Sequence, residues 1–179
     1  MKGTQPMPTT GKNMKTLNED FMESSISKAS EGLLTLTRTN IFPGIIMYRF
    51  ANTKRLDLYY TGPWWISFSP FEALKKYAKL REQSLSLAAR KCLAIDWGWS
   101  NVDVLVKVVA KERLSAWAGT PKTQVLKVGS RYTGVSWEPD RDITQLFIPG
   151  LDQADPNDSK RKIWQSAFVG PRCENIGIT

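Results

Sequence analysis

The chain changes at Ser69 from a strand pattern to a helix pattern. Trp64 to Phe68 is an apolar run with the composition of a strand. Ser69 precedes Pro70 and stands three positions before Glu72, which is a capping-box pattern with proline at the first helical position. Apolar and aromatic residues then recur at helical spacing: Phe71, Leu74, Tyr77 and Ala78. The chain is thus predicted to pass from a strand directly into a helix, and its fold must accommodate that junction.

Helical patterns dominate the first half of the chain and strand patterns dominate the second. A helical segment is predicted over Asn18 to Leu34, and a second helical piece over Leu85 to Arg90. The predicted strands are Ile41 to Phe50, Leu56 to Tyr60, Cys92 to Trp97, Val102 to Ala110, Val125 to Val128, Tyr132 to Trp137 and Thr144 to Ile148. A polar loop is predicted over Asp152 to Lys162, followed by a tail that packs back through Trp164 and Phe168. This order of elements is typical of an α+β fold.

The domain organisation follows from length and local composition. Residues 1–17 are rich in Gly, Pro, Thr and Lys, which predicts a flexible N-terminal arm. Residues 18–179 are long enough for a single domain with a substantial core. The sequence has neither an apolar run long enough for a membrane span nor an apolar segment behind Lys2 that would indicate a secretion signal.

The charge and the cysteines constrain partners and compartment. The formal net charge is +8 and the pI is near 9.6, which favours nucleic acid, an acidic inhibitor protein or a phosphorylated ligand as partner, although such a charge also serves solubility alone. Cys92 and Cys173 are the only cysteines, and their separation provides neither a metal-binding spacing nor a disulfide framework. We therefore expect a reducing compartment and a cytoplasmic site of action.

The sequence contains no histidine, which excludes several kinds of chemistry. A Ser-His-Asp or Cys-His catalytic group, histidine-based acid–base catalysis and the common zinc sites all require that residue. Any reaction must therefore use carboxylates, amides, hydroxyls, Arg, Lys or a cofactor, and no metal site is predicted.

Three features of the first strands suggest a phosphate-bearing ligand. Arg49 ends an apolar run and could donate paired hydrogen bonds to a phosphate, or it could be a structural ion-pair residue. Ser67 and Ser69 alternate along the strand on the side of Trp65, so two hydroxyls and an indole share one face. Trp64 and Trp65 could stack on a nicotinamide or a base, or could be core residues.

These segments resemble the ADP-ribosyltransferase fold, in its Arg-Ser-Glu class of cholera- and pertussis-toxin-like enzymes. Tyr48-Arg49 is similar to the Tyr-Arg pair of the family's first strand, and Ser67-Phe68-Ser69 to its Ser-Thr-Ser motif. The segment 143–149, Ile-Thr-Gln-Leu-Phe-Ile-Pro, falls where the family has a late strand with a Glu-x-Glu or Gln-x-Glu motif. The resemblance covers roughly residues 41–150 and implies a split β-sandwich preceded by an N-terminal helical segment.

The resemblance implies an NAD site. Arg49 would hold the phosphates, Ser67 would orient the ribose or carboxamide, and Trp65 or Tyr77 would form a wall for the nicotinamide. Tyr48 and Ser69 complete the cofactor-binding residues implied by the motifs, and Gln145 would lie at the scissile bond.

Gln145 departs from the family, because it occupies the position of the catalytic glutamate. An amide can bind a ribose hydroxyl but cannot supply the negative charge that stabilises an oxocarbenium-like transition state. Three explanations are compatible with the sequence. Glu138 or Asp142 supplies the charge from the neighbouring loop, the chain is an inactivated Glu-to-Gln variant, or the domain binds without catalysing.

The resulting hypothesis is an NAD-dependent mono-ADP-ribosyltransferase, a bacterial or phage-linked toxin or effector that modifies a macromolecular acceptor, either nucleic acid or protein. An acidic antitoxin or immunity protein is a further expected partner. The alternative hypotheses are a basic RNA-binding or RNA-cleaving toxin domain that does not use NAD and a non-catalytic interaction protein.

Overall fold

The chain folds into short helices and antiparallel strands, and the predicted α+β class is confirmed. The structure is a computed structural model that describes residues 15–96, 98–128, 131–137, 139 and 142–177. The α-helices are α1 (Ile26–Gly32), α2 (Phe68–Leu80), α3 (Leu85–Cys92) and α4 (Ile163–Ala167). The strands are β1 (Thr37–Ile41), β2 (Ile46–Ala51), β3 (Trp64–Ser67), β4 (Val104–Ala110), β5 (Leu114–Gly119), β6 (Gln124–Val128), β7 (Arg131–Trp137), β8 (Gln145–Phe147), β9 (Ala154–Asp155), β10 (Asp158–Lys162) and β11 (Phe168–Asn175).

Seven strands form one antiparallel sheet in the order β1-β5-β8-β3-β2-β4-β11. The remaining strands form two separate pairs, β6 with β7 and β9 with β10. The late strand β8 therefore lies next to β3, and β3 lies next to β2, although the three are far apart in sequence. The predicted motif-bearing strands thus occupy three adjacent positions in the sheet.

The central strand β3 changes its partner along its length. Its registered pairs are Trp64 with Phe147, Trp65 with Leu146, Ile66 with Tyr48 and Ser67 with Met47. The first half of β3 thus pairs with β8, and the second half pairs with β2. The pairing of β2 with β3 ends at Tyr48 and Ile66, and the two strands separate there. A split opens in the sheet at the position of Arg49.

The two faces of the sheet carry separate hydrophobic cores. Along β2, Met47 enters one core and Tyr48 the other, as the alternation of a strand requires. The first core also receives α4 through Ile163 and Ala167. The second is covered by α2 and α3, which contribute Phe71, Leu74, Ala78, Ala88, Ala89 and Cys92. Helices therefore pack on both faces of the sheet near the split.

A buried asparagine fastens the N-terminal segment to the sheet. The Asn18 amide donates to the carbonyl of Ser115 at 2.8 Å and to that of Pro149 at 3.0 Å, and its Oδ1 accepts from the Ser115 N–H at 2.8 Å. Thr16 is buried beside Asn18, and the Leu17 N–H donates to the carbonyl of Arg113. Of the predicted arm, residues 1–14 lie outside the described residues.

The predicted N-terminal helical segment is present but broken. Single 3-10 turns at Glu19–Phe21 and Glu23–Ser25 precede α1. The predicted packing of the tail through Trp164 and Phe168 is confirmed, and the tail additionally adds β11 to the edge of the sheet.

Three of the predicted elements are wrong. Leu56–Leu58 is a 3-10 turn rather than a strand. The strand predicted from Cys92 is a helix end, because α3 extends through Cys92 and the chain then turns at Ala94 with a positive φ of 52°. The loop predicted from Asp152 contains the hairpin β9–β10, in which the Asp155 carboxylate accepts from the backbone of Asn157 at 2.7 Å.

The predicted capping box at Ser69 is also wrong. The helix α2 begins at Phe68, so Ser67 takes the N-cap position and makes no side-chain capping bond. Ser69 is exposed inside the first turn, and Glu72 pairs with Lys75 at 2.6 Å instead of returning to the cap. The strand therefore enters the helix two residues earlier than the pattern predicts.

No helix in the described ranges combines the length and the apolar character needed to cross a membrane.

We expect Asn18→Ala to lower the free energy of unfolding by about 2–4 kcal/mol, because it removes three buried hydrogen bonds and leaves their backbone partners unsatisfied. Urea denaturation measures the change. The matched control is Asn157→Ala, at an exposed position in the β9–β10 turn, which is expected to stay within about 0.5 kcal/mol of the parent. Equal effects of the two substitutions would show that Asn18 does not anchor the segment.

Candidate functional site

A cavity of about 430 Å³ is lined by residues from both sides of the split in the sheet. The strands contribute Tyr48, Arg49 and Phe50 from β2, Trp64, Trp65 and Ile66 from β3, and Gln145 from β8. The other walls come from α1 and from seven residues elsewhere in the chain: Leu93, Ala94, Ile95, Trp99, Ser100, Lys122 and Gln124. Its size is within the usual range of small-molecule sites.

Arg49 is the cation at the split. Its Nη1 donates to the carbonyl of Trp64 at 3.0 Å, while its Nε is buried without a hydrogen-bond partner. In the described part of the chain, no carboxylate forms an ion pair with Arg49. Burial lowers the pKa of the guanidinium to about 10. Arg49 is half-buried, so water solvates its charge incompletely, and an anionic ligand in the cavity would offset the cost of that lost solvation.

Gly62 makes room for the guanidinium. A Cβ atom at Gly62 would lie 1.8 Å from Nη2 of Arg49, which no real contact allows. The carbonyl of the same glycine accepts a hydrogen bond from the indole nitrogen of Trp65 at 2.8 Å. Gly62, just before β3, therefore shapes the site in two ways. It leaves space for the Arg49 guanidinium, and its carbonyl holds the Trp65 indole.

The two tryptophans have different roles. Trp65 is 1% exposed, packs against Phe168 in the first core and has its N–H occupied by Gly62. Trp64 is half-buried and meets Phe147 edge to face at 4.8 Å. Trp64 therefore offers more free surface to a ligand than Trp65 does.

Gln145 lies on the strand next to these tryptophans. Its side chain is 7% exposed and lines the cavity, and its backbone pairs with Gly119 of β5. A buried amide at the wall of a cavity is available to bind a polar ligand group through either its carbonyl or its NH₂.

The cavity brings together five of the residues considered from the sequence: Tyr48, Arg49, Trp64, Trp65 and Gln145. The Tyr48 ring mainly serves packing, since it stacks on Phe71 with 3.9 Å between the ring centres. Burial is the main cause that raises the pKa of the Tyr48 phenol.

The other predicted site residues lie elsewhere. Ser67 and Ser69 are at the start of α2, and Tyr77 lies further along that helix under the guanidinium of Arg81. None of these three lines the cavity. Glu138 lies outside the described residues, and Asp142 is an exposed residue that does not line the cavity.

Several cavity residues were not predicted. Lys28 and Glu31 come from α1, Lys122 from the segment after β5, and Trp99 from the loop after α3. The loop is held by Arg90, which donates to the carbonyl of Ser100 at 2.7 Å. Trp99 is 66% exposed at the cavity, and this exposure is evident only from the tertiary structure.

The arrangement suits an anion joined to a planar group. Arg49, Lys28 and Lys122 give the lining three cations, and Glu31 is the one carboxylate among the described lining residues. Trp64 and Trp99 offer aromatic surface for stacking. No group of histidine, cysteine or acidic side chains suited to a metal ion occurs in the parts of the chain that the structure describes.

Comparison with known proteins gives no match: no protein-family model, no curated protein and no solved structure is similar to this chain.

We expect Arg49→Met to raise the free energy of unfolding at neutral pH by about 1–2 kcal/mol. Folding lowers the pKa of the Arg49 guanidinium to about 10, so at every pH below about 10 the charged side chain lowers the free energy of unfolding. Methionine carries no charge and removes this loss of stability. Losing the bond to the Trp64 carbonyl offsets part of the gain.

The control is Arg90→Met, measured by the same urea denaturation. Arg90 is fully buried and faces Asp96 and Asp103, which act against the lowering of its pKa by burial, so its removal is expected to destabilise the protein. If Arg49→Met were as destabilising as Arg90→Met, Arg49 would be a structural residue.

Proposed function

We propose that the chain is a mono-ADP-ribosyltransferase that binds NAD in the cavity at the split of the sheet. The observation that carries the proposal is Arg49, a half-buried arginine whose Nε is buried without a hydrogen-bond partner among the described residues. Its Nη1 donates to the carbonyl of Trp64, and it faces a cavity that is also lined by Trp64 and Gln145. NAD combines a diphosphate with two planar rings, and the cavity offers a complementary group for each part.

The diphosphate is expected to bind Arg49. A guanidinium pairs with phosphate through parallel hydrogen bonds, and these bonds are stronger where water is excluded. Lys28 and Lys122 line the same cavity and add positive potential for the second phosphate. An anion at Arg49 would also give its buried Nε a chance to form the hydrogen bond that it lacks.

The rings are expected to stack on tryptophan. Trp64 is paired with Phe147, two residues along β8 from Gln145, and it lines the same cavity as Gln145. It is the wall that we assign to the nicotinamide. Trp99 at the exposed side is the wall that we assign to the adenine. Gln145 would then bind a ribose hydroxyl next to the bond that breaks.

The proposal includes an ADP-ribosyltransferase fold. The change of partner along β3 supports this part, because a split β-sandwich needs two strand layers that diverge at a central strand. The adjacency of β2, β3 and β8 supports it further, since these strands carry the segments with family resemblance. A toxin or effector that acts in the cytoplasm on a nucleic acid or protein acceptor, under control of an acidic antitoxin, is in keeping with the net charge of +8.

We expect Arg49→Met to weaken NAD binding by tenfold to about a hundredfold, the loss typical of a charged hydrogen-bonding partner. Gly62→Ala is expected to weaken binding as well, because its Cβ displaces the guanidinium while the charge of the protein stays the same. Isothermal titration calorimetry with NAD measures both.

The control for these variants is Arg81→Met, a charge change at the residue that follows α2 and does not line the cavity, which is expected to keep the parent affinity. Absence of NAD binding by the parent protein would refute the proposal. Binding that survives both Arg49→Met and Gly62→Ala would refute the assigned phosphate site.

We expect Gln145→Glu to increase nicotinamide release from NAD by about a hundredfold or more, because a carboxylate adds negative charge where positive charge develops on the ribose. Chromatographic measurement of free nicotinamide gives the rate. The control is Gln83→Glu, on the segment between α2 and α3, which is expected to leave the rate unchanged. A decrease with Gln145→Glu would mean that the amide itself is required.

A second candidate is nucleic-acid binding without NAD. It is favoured by the exposed Trp99 beside Lys28 and Lys122, since an aromatic face between cations is suited to a stacked base and its phosphate. RNA cleavage by the protein in the absence of NAD would favour this candidate over the transferase.

A further inference from the structure

We infer that Glu31 supplies the negative charge that Gln145 lacks, an inference that rests on the proposed transferase activity. Glu31 is an exposed residue near the end of α1, outside every sequence motif discussed above, and it lines the same cavity as Gln145. In this role Glu31 would be a catalytic residue contributed by the N-terminal segment rather than by the late strand β8.

Close packing brings the end of α1 to the strand beside Gln145. Gln145 pairs with Gly119 of β5. A Cβ atom at Gly119 would lie 1.9 Å from the carbonyl oxygen of Thr35 and 3.3 Å from Cβ of Leu33. The chain that directly follows Glu31 is therefore seated on the residue that pairs with Gln145.

A second close contact fixes α1 against the cavity wall. A Cβ atom at Gly32 would lie 2.4 Å from the Trp64 ring, so the absence of a side chain lets the helix approach the indole. The Gly32 carbonyl accepts from the Lys122 N–H at 2.8 Å, and Leu33 is 1% exposed. Glu31 thus belongs to a well-packed turn although its own side chain is exposed.

The carboxylate is not committed elsewhere. In the described parts of the chain, the ion pairs engage other acidic residues, and none engages Glu31. The cations Arg49, Lys28 and Lys122 line the cavity with it. With the phosphates held by these cations, Glu31 is the described lining residue that can place negative charge at the nicotinamide ribose.

The step can be written in full. The bond between C1′ of the ribose and the nicotinamide nitrogen breaks, and its electron pair goes to that nitrogen, which loses its positive charge. The positive charge that develops on the ribose is stabilised by the Glu31 carboxylate. A lone pair of the acceptor, or of water, forms the new bond to C1′, and the proton it releases passes to Glu31 and then to solvent.

The test is Glu31→Gln, which removes the charge and keeps the size of the side chain. We expect kcat for nicotinamide release to fall at least thirtyfold, while KM and the calorimetric Kd for NAD change less than about threefold, because the charge acts in the transition state. Glu23→Gln is the matched control: it makes the same change at an exposed position earlier in the N-terminal segment, outside the cavity. The double variant with Gln145→Glu is expected to recover much of the lost rate.

The outcomes separate this inference from the function on which it rests. If the parent protein releases nicotinamide and Glu31→Gln releases it equally fast, Glu31 has no catalytic role and the transferase proposal stands. If the parent binds NAD but neither it nor any variant releases nicotinamide, Glu31 supplies no catalytic charge. If the parent does not bind NAD, both proposals fail. Equal urea midpoints of the parent and Glu31→Gln ensure that the comparison is between folded proteins.

Discussion

The contact between the Arg49 guanidinium and the backbone at the beginning of β3 is the interaction on which the site depends. Arg49 spans the gap that opens where β3 leaves β2, and its Nη1 satisfies the Trp64 carbonyl there. Gly62 provides the space for it. This arrangement keeps a charge in a place where water cannot fully solvate it. Such a charge weakens the free protein and favours an anion, so stability and ligand binding act in opposite directions at this residue.

Much of the sheet could be predicted because its strands are short apolar runs between breaks, and this holds for β2, β3, β4 and β8. The junction at Ser69 was predicted two residues late, because Ser69, Pro70 and Glu72 satisfy a capping pattern while the hydrogen bonds of α2 start at Phe68. The hairpin from Ala154 was missed because its residues are polar and its turn is stabilised by Asp155 rather than by apolar alternation.

The composition of the cavity was only half predictable. Arg49, Trp65 and Gln145 belong to the motifs that the sequence-based hypothesis assigns to one ligand site, so their proximity was expected from the sequence. Glu31 and Lys28 reach the cavity because glycines at positions 32 and 119 allow close backbone approach. Gly119 meets Thr35 and Gly32 meets Trp64, and both contacts join segments that are far apart in sequence. No local pattern around Glu31 indicates them.

The hydrogen bonds of Asn18 determine when the site can form during synthesis of the chain. Asn18 is bonded to the carbonyl of Pro149, a residue 131 positions later in the chain. Synthesis proceeds from the N-terminus, so Asn18 can complete its set of hydrogen bonds only after Pro149 has been added to the chain. The cavity, which includes Gln145, therefore forms only after most of the described sheet has been synthesised.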